Sequence, residues 1–221
     1  MTNFGARRLR LANPYAAGFR EARSAVGAAD LLKNAEVFKT VAEAVADCSL
    51  VVGTTAVHNR ALQQSPRRLD QEAAELIRGR LPSEKVAVLF GSEKIGLTND
   101  DFSHCHWLLH VPTQATNLSM NLGQAVAVCL YELSRTASAK APKDKDKDQT
   151  QRATAGDAEQ ISTLLLQALH DSGYVKPGTD AMFEKKARWL ILRFKLEAYD
   201  AKLLLGMIRQ IVWKLRHPTK D

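Results

Sequence analysis

Three short segments combine small residues with hydroxyl and amide groups, and each follows an apolar run that predicts a β-strand. They are residues 53–56 (GTTA), 91–97 (GSEKIGL) and 112–121 (PTQATNLSMN). Turns of this composition expose backbone amides and hydroxyls that can hold the polar edges of a nucleoside. None of them is a GxGxxG sequence or a P-loop, which disfavours a dinucleotide or nucleoside triphosphate site. Taken singly, each could also be an ordinary turn.

The apolar runs before these segments alternate with stretches of helical spacing. Strands are predicted at residues 8–12, 49–52, 86–90 and 107–111, and helices at residues 35–46, 69–80 and 119–133. This alternation predicts an α/β fold with a mainly parallel sheet and helices on both faces. The continuous apolar run VAVLF is typical of a strand buried on both faces. Because ligands bind at the carboxyl ends of such strands, the three segments should meet at one edge of the sheet.

The composition changes after residue 135. Residues 136–156 contain no large apolar side chain, and residues 143–148 alternate in charge. This pattern predicts a flexible linker at residues 138–156, between a domain at residues 1–137 and a module at residues 157–221. Three apolar stripes at helical spacing then predict a small all-α module of three helices. The stripes are Ile161, Leu164, Leu165, Ala168 and Leu169; Phe183, Ala187, Leu190 and Phe194; and Leu204, Ile208, Ile211 and Leu215.

Two of these segments, taken in order, resemble a known family. Residues 90–99 (FGSEKIGLTN) look like the second motif, and residues 117–122 (NLSMNL) like the third motif, of the SpoU/TrmH group of SPOUT RNA ribose methyltransferases. Residues 3–5 (NFG) and 9–14 (LRLANP) resemble the end of the first motif. The resemblance is strongest to the TrmJ-like branch, which methylates a ribose at the start of the tRNA anticodon loop. It covers nearly the whole chain, because that branch also has a helical extension after a linker.

The resemblance implies a fold, a cofactor and an assembly. The chain should thread through itself near the third motif as a trefoil knot that binds S-adenosylmethionine in a bent shape. The active enzyme should be a homodimer whose site combines residues of both subunits. Carried over position by position, the cofactor contacts fall on Thr54, Thr55, Ala56, Gly91, Val111, Leu118, Ser119 and Met120. Several of these residues would make their contacts through backbone groups.

Two polar residues of the motifs are candidates for the catalytic site. The resemblance implies that Glu93 and Asn121 help to arrange that site. Asn121 could instead form only a hydrogen bond at the start of a helix. Glu93 could be a surface carboxylate near a helix start. Both alternatives stay open at the level of the sequence.

The resemblance is incomplete at the N-terminus. Members of the group begin with a strand and a loop that bears an asparagine and an arginine, before the segment that matches residues 3–5. That arginine is thought to contact an RNA phosphate and help deprotonate the ribose hydroxyl, and losing such a helper typically costs about 10²–10⁴-fold in rate. We expect that the reading frame starts upstream of Met1, with a degenerate protein as the alternative. Without that segment, the chain should be nearly inactive in methyl transfer unless Arg7 or Arg8 substitutes for the arginine, and a sheet edge should be exposed.

The helical module is rich in basic residues. Residues 151–221 hold 12 Lys/Arg and 8 Asp/Glu, whereas residues 1–137 hold 15 and 13. Lys202, Arg209 and Arg216 are seven residues apart and share one face of a helix. This face, together with basic residues of the preceding helix, is expected to bind RNA phosphates without reading bases, although it could be only a solvated face. The remaining candidates are Lys185, Lys186, Arg188 and Arg193, while Trp189 and Trp213 are more typical of a core than of base stacking.

Composition excludes some classes of protein. The net charge of +7 favours a polyanionic partner such as RNA. No apolar run approaches the roughly 18–20 residues that span a bilayer, and the N-terminus does not resemble a signal peptide, so a cytoplasmic protein is expected. Cys105 lies between His104 and His106, but this spacing fits no common zinc site, and no metal is expected.

Two functions therefore compete at the level of the sequence. The first is S-adenosylmethionine-dependent 2'-O-methylation of a ribose, in tRNA or alternatively in ribosomal RNA. The second is a non-catalytic RNA-binding protein that keeps a vestigial cofactor pocket. An unrelated nucleotide-binding enzyme lacks any supporting motif.

Overall fold

The computed structural model describes residues 1–14, 27–56, 64–114, 119–135, 151–176 and 178–217. Its strands are β1 (Arg10–Ala12), β2 (Glu36–Phe38), β3 (Leu50–Thr54), β4 (Arg67–Arg68), β5 (Val86–Leu89) and β6 (Trp107–His110). Its helices are α1 (Ala29–Lys33), α2 (Val41–Val45), α3 (Gln71–Arg78), α4 (Asn99–Ser103), α5 (Leu122–Ser134), α6 (Ala155–Asp171), α7 (Asp180–Phe194) and α8 (Ala198–Arg216).

The described strands form two parallel sheets. One contains four strands in the order β4-β6-β3-β5, and β1 pairs with β2 in a separate two-stranded sheet. The predicted α/β fold with mainly parallel strands and a helical C-terminal region is confirmed. The expectation that residues 86–90 form a strand buried on both faces is wrong. The residues of β5 are only half-buried, because β5 lies at an edge of the four-stranded sheet.

Strand β3 separates two apolar cores. Val51 packs with Val45, Phe102 and Leu108 on one face of the sheet. Its neighbours Leu50 and Val52 pack on the other face, against α3, Leu109 and Cys129. This alternation is the period of two that a pleated strand imposes on its side chains. The strand that carries the first polar turn is therefore fixed from both sides.

The predicted helix at residues 35–46 is wrong in its first half. Residues 36–38 form β2, and the helix begins only after Thr40, whose side chain accepts a hydrogen bond from the Glu43 amide. Pairing with β1 decides the strand, and this pairing is invisible to local spacing. Arg10 of β1 donates hydrogen bonds to the Asp47 carboxylate and to the Ala44 carbonyl, and so ties the small sheet to α2.

The other predicted helices are present with shifted ends. Asp70 caps α3 by accepting a hydrogen bond from the Ala73 amide, and Asn121 caps α5 by accepting one from the Gly123 amide. The helix predicted at residues 119–133 therefore begins at residue 122. The short elements β4 and α4 were not predicted, because two and five residues are too few to give a periodic signal.

The helical module is packed against the rest of the chain. Residues 138–150 of the predicted linker lie outside the described ranges, but α6 begins at Ala155. The linker prediction is therefore too long at its C-terminal end. Helix α6 contacts α2, and α7 contacts α4. No helix in the described part of the chain is long and apolar enough to cross a membrane.

The apolar stripes of the module were only partly right. Ile161 is fully buried, as predicted. In α7 and α8 the predicted residues Ala187 and Ile208 are buried, but the rest of the buried face is rotated from the predicted stripes and consists of Arg188, Ile191, Leu192, Ala201, Leu205 and Val212. Phe194 and Ile211 of the predicted stripes are about half exposed, and so is Trp213, which was expected in the core. A helix with apolar residues on most of its circumference does not reveal from spacing which side packs.

Candidate cofactor and RNA site

The three polar turns lie together at the carboxyl ends of three adjacent strands of the four-stranded sheet. Strand β3 lies between β5 and β6, and all three are parallel, so their carboxyl ends point the same way. The turns after these strands begin at residues 55, 90 and 111. This is the edge at which doubly wound sheets bind ligands, as the sequence predicted.

The first turn joins its two neighbours by hydrogen bonds. The Thr54 hydroxyl donates to the Leu89 carbonyl at the end of β5, at 2.7 Å. The Thr55 amide donates to the Leu109 carbonyl of β6, at 2.9 Å. Ala56 follows on the exposed rim. The predicted cofactor residues Thr54 and Thr55 thus hold the ends of three strands together.

The second turn requires glycine at its first position. A Cβ atom on Gly91 would lie 2.0 Å from the Gly96 carbonyl carbon and 2.1 Å from the Leu97 nitrogen. The turn closes through the Gly96 amide, which donates to the Ser92 carbonyl at 2.8 Å. Gly96 has a φ of +70°, which favours glycine there as well. The loop is therefore shaped by backbone contacts that no larger residue at Gly91 could keep.

The third turn follows β6. The structure describes its residues 111–114 and 119–121. Val111 packs at the edge of the core, and Ser119 and Met120 precede the cap of α5. The predicted cofactor residue Leu118, and part of the stretch where the knot is expected, lie outside the described residues. An open cavity of about 520 Å³ adjoins this turn and is lined by Arg68, Pro112, Thr113 and Gln114.

Sequence reasoning missed Arg68 as a residue of this cavity. The pair Arg67-Arg68 forms the short strand β4 beside β6, which brings Arg68 to the third turn. The only signal in the sequence is two adjacent basic residues before Leu69, and such pairs are common on protein surfaces.

The two candidate catalytic residues lie within reach of each other. The Asn121 side-chain amide donates to the Glu93 carboxylate at 3.4 Å, across the second and third turns. The same Asn121 side chain accepts the helix-start hydrogen bond from Gly123 at 2.9 Å. Asn121 therefore makes the helix-start hydrogen bond that the sequence left open as its alternative role. It also contacts Glu93, which joins the second motif to the third. Both residues are exposed.

The Cys–His sequence beside α4 is built into the core. Cys105 is buried, and its Sγ atom would lie 2.7 Å from a Cβ on Gly53, so this cysteine explains why β3 needs a glycine there. Burial raises the pKa of the Cys105 thiol. Burial lowers the pKa of His106 to about 4, and its Nδ1 accepts a hydrogen bond from the Val51 amide. Among the described residues, no three His, Cys, Asp or Glu side chains gather where they could hold a metal ion.

The expected RNA-binding residues fall into three groups. Arg188 is buried within hydrogen bonds to carboxylates, so its assignment to an RNA surface is wrong. Lys185 and Arg216 form ion pairs with Asp100 and Asp171. The others are exposed: Arg193 lies over the Trp189 ring, Lys186 over the Phe183 ring, and Lys202 and Arg209 lie on the open face of α8.

Comparisons with known proteins agree with this architecture. The sequence profile of the SpoU rRNA Methylase family matches residues 1–131. A Yersinia enterocolitica protein named tRNA (cytidine/uridine-2'-O-)-methyltransferase TrmJ is 31% identical over 227 residues, covering 100% of this chain and 86% of its own length. A Cronobacter sakazakii protein of the same name is 32% identical over 218 residues, covering 96% and 87%.

Solved structures give the same result. The crystal structure of TrmJ from Z. mobilis ZM4 superimposes with a TM-score of 0.82 at 30% identity, covering 96% of this chain and 89% of that one. A probable methylase family protein from Haemophilus influenzae gives 0.55 at 28% identity, covering 99% and 89%. The match extends through the helical module, beyond the residues of the family profile. The chain belongs to the SpoU rRNA methylase family and is a TrmJ-like RNA methyltransferase.

Proposed function

We propose that the chain transfers a methyl group from S-adenosylmethionine to a ribose 2'-hydroxyl of tRNA. The observation that carries this proposal is the meeting of three motif turns at one sheet edge, with the Gly91 loop closed on itself and Asn121 bonded to Glu93. Relatives that cover almost the whole chain are named for 2'-O-methylation of tRNA, which supports this substrate over ribosomal RNA. Because tRNA is a cytoplasmic substrate, we also propose a cytoplasmic location.

The residues at this edge fit a nucleoside cofactor. We assign its binding to Thr54, Thr55, Ala56, Gly91, Val111, Leu118, Ser119 and Met120. The fit rests on tight backbone turns, because backbone amides and carbonyls recognise the edge of a purine. When bound, S-adenosylmethionine supplies a methyl group on a positively charged sulfur. Asn121 and Glu93 would keep the second and third turns at a fixed separation around it.

An exposed face of α8 is the best candidate for RNA contact. We define the α8 stripe as Tyr199, Lys202, Arg209 and Trp213, which follow one another at spacings of three, seven and four residues on one side of the helix. Gly206 lies between them and has open space above it. Aromatic rings stack on bases and cations neutralise phosphates, so the stripe suits an unpaired stretch of RNA.

We also propose that the chain forms a homodimer. Helix α5 is apolar along most of its length, yet Cys129 is its one fully buried residue in the described chain. Tyr131 is more than half exposed and Val128 is 38% exposed. An apolar helix beside the cofactor turns is suited to burial against a second copy. Sedimentation of the purified chain should give the mass of two copies.

The test of the function is methyl transfer to tRNA. The chain, and the product of the reading frame extended upstream of Met1, are each incubated with tritiated S-adenosylmethionine and unmodified tRNA. Digestion and mass spectrometry should find a 2'-O-methylated nucleoside with at least one of the two proteins. If both proteins bind S-adenosylhomocysteine and neither methylates tRNA or ribosomal RNA, the non-catalytic alternative replaces this proposal.

A further inference from the structure

Arg188 is a buried residue with its charge balanced inside the helical module. Its Nε and Nη2 atoms donate to the two carboxylate oxygens of Glu159 in α6, at 2.5 and 2.9 Å. Nη2 also donates to Glu184, one turn earlier in α7, at 2.8 Å. The two-pronged contact with Glu159 uses the planar fork of arginine, which lysine does not offer.

The other end of the Arg188 side chain crosses to the methyltransferase domain. Nη1 donates to the Ser103 hydroxyl of α4 at 2.7 Å, and it lies 3.9 Å from an Asp100 oxygen. Two flanking contacts run alongside, with Lys185 Nζ 3.7 Å from Asp100 and His104 Nδ1 3.7 Å from Glu159. The module thus contacts α4 through charged groups that the sequence places far apart in the chain.

Helix α4 directly continues the second cofactor turn. Leu97 ends the turn in the core, and Thr98 begins α4 with a reciprocal pair of hydrogen bonds to Asp101. Phe102 anchors the helix in the same core as Leu97. A contact that fixes α4 to the module therefore also fixes the module next to the Gly91 loop.

A second contact between the module and the domain is made by backbone. The Ala155 and Gly156 amides at the start of α6 donate to the Cys48 and Ala46 carbonyls after α2, at 2.7 and 2.9 Å. A Cβ on Gly156 would lie 2.8 Å from the Ala46 oxygen, so the approach requires glycine. This contact lies at the end of α2 and the Arg188 contact lies at α4, so loss of either one should leave the module freer to rotate about the other.

We propose that Arg188 is a positioning residue, which holds the helical module on α4 so that the α8 stripe keeps a fixed place relative to the cofactor turns. This inference rests on the proposed function. Removal of the guanidinium would leave Glu159, Glu184 and Asp100 close together without their shared cation, and like charges at short distance repel one another. The module would keep its own apolar core but would lose its fixed orientation.

The first test measures orientation and needs no activity. Spin labels on Lys94 of the second turn and Gln210 of α8, both exposed, report the distance between the two parts. The distance distribution should be narrow in the parent chain and several-fold broader in Arg188→Met. Arg193→Met changes an exposed arginine on the same helix and should leave the distribution narrow. An unchanged distribution in Arg188→Met would overturn the proposal.

A second variant controls for unfolding of the module as the cause of a broader distribution. Asp100→Asn combined with Ser103→Ala removes the partners on α4 and leaves the pairs of Arg188 with Glu159 and Glu184 intact. It should broaden the same distribution while circular dichroism shows unchanged helix content. A narrow distribution in this folded variant would also overturn the proposal.

Kinetics separate positioning from binding. In Arg188→Met the Kd for S-adenosylhomocysteine should stay within about twofold, while kcat for RNA methylation falls on the order of 10- to 100-fold, because misplacement by about 1 Å can cost that much. An unchanged kcat in a folded variant would mean that Arg188 only stabilises the structure. If neither the parent chain nor the upstream-extended protein methylates RNA, the proposed function fails, and the distance measurement still decides the positioning role.

Discussion

The candidate cofactor site and the candidate RNA surface are built from different parts of their residues. In the methyltransferase domain the candidate site depends mainly on the shape of the backbone, with Gly91 closed against Gly96 and the Leu89 carbonyl accepting a hydrogen bond from the Thr54 hydroxyl. In the helical module the candidate surface is made of long charged side chains, and some of those charges are already used within the protein. Arg188 is buried and Arg216 is paired with Asp171, whereas Arg209 is exposed.

This difference shows which kinds of sequence signal can be trusted. A glycine whose position leaves no room for a Cβ atom stands at a fixed place in a motif. The turns could therefore be located correctly from the sequence. A basic residue has the same appearance in sequence whether it faces solvent or a buried carboxylate. Its role becomes known only when its partners are known, and these come from distant parts of the chain.

The largest effect on cofactor binding is expected at the backbone-built site. Gly91→Ala would force the closed turn apart, and overpacking of this kind costs about 1–3 kcal/mol, which corresponds to roughly 5- to 150-fold weaker binding of S-adenosylhomocysteine. Gly206→Ala is the matched control, since open space surrounds that glycine. Calorimetry on both variants measures the effect. Equal affinities would show that the Gly91 loop does not hold the cofactor.

A second comparison tests the packing of the module. Ile161→Ala should lower the free energy of unfolding by about 2–5 kcal/mol, because this side chain is fully buried. Phe194→Ala should change it by less than about 1 kcal/mol, because Phe194 is 54% exposed despite its place in the predicted stripe. Urea denaturation gives both values. A larger cost at Phe194 than at Ile161 would contradict the observed core.

Lowering the pH should reduce the free energy of unfolding of the methyltransferase domain, because of His106. Burial lowers the pKa of His106 to about 4, below the 6.5 of an exposed histidine, so the unfolded state binds more protons between these values. Stability should therefore fall as the pH drops from about 6.5 toward 4, by an amount on the order of 3 kcal/mol at most. His106→Asn keeps an acceptor for the Val51 amide and removes the titration. Parallel stability–pH curves for the parent and this variant would exclude His106 as the cause.

The smallest effect is expected on the RNA surface. Lys202→Gln with Arg209→Gln removes two exposed charges of the α8 stripe and should reduce the slope of log affinity against log salt by up to about two units. Arg216→Gln removes a charge that Asp171 already neutralises, and should change the slope less. Filter binding to tRNA at several salt concentrations measures these slopes. Identical slopes in all three proteins would identify the stripe as a solvated face.

Much of the fold could be predicted from the sequence, for identifiable reasons. Strands β3, β5 and β6 were located because their apolar runs end in small polar residues, and α3 and α5 because they have helical spacing after a capping residue. Strand β2 was missed because the pairing with β1 overrides its local pattern. The buried faces of α7 and α8 were misplaced because apolar residues surround most of each helix.

The candidate site could also be predicted in part from the sequence. The positions of the three turns were found from motif order. Glu93 and Asn121 were selected from the same motifs as candidates, and the structure brings their side chains within 3.4 Å of each other. The role of Arg188 could not be found, since its partners Glu159 and Ser103 are 29 and 85 residues away in the chain. The contribution of Arg68 to the cavity depends on β4, an element too short to predict.

Nuclear magnetic resonance can test directly whether the three turns form one cofactor site. Backbone amide shifts of the labelled chain are recorded during titration with S-adenosylhomocysteine. We expect saturable changes that cluster at residues 53–56, 91–97 and 111–121, with a small response from residues 178–217. Shifts that cluster elsewhere, or the absence of any response from a folded chain, would contradict a single cofactor site at the three turns.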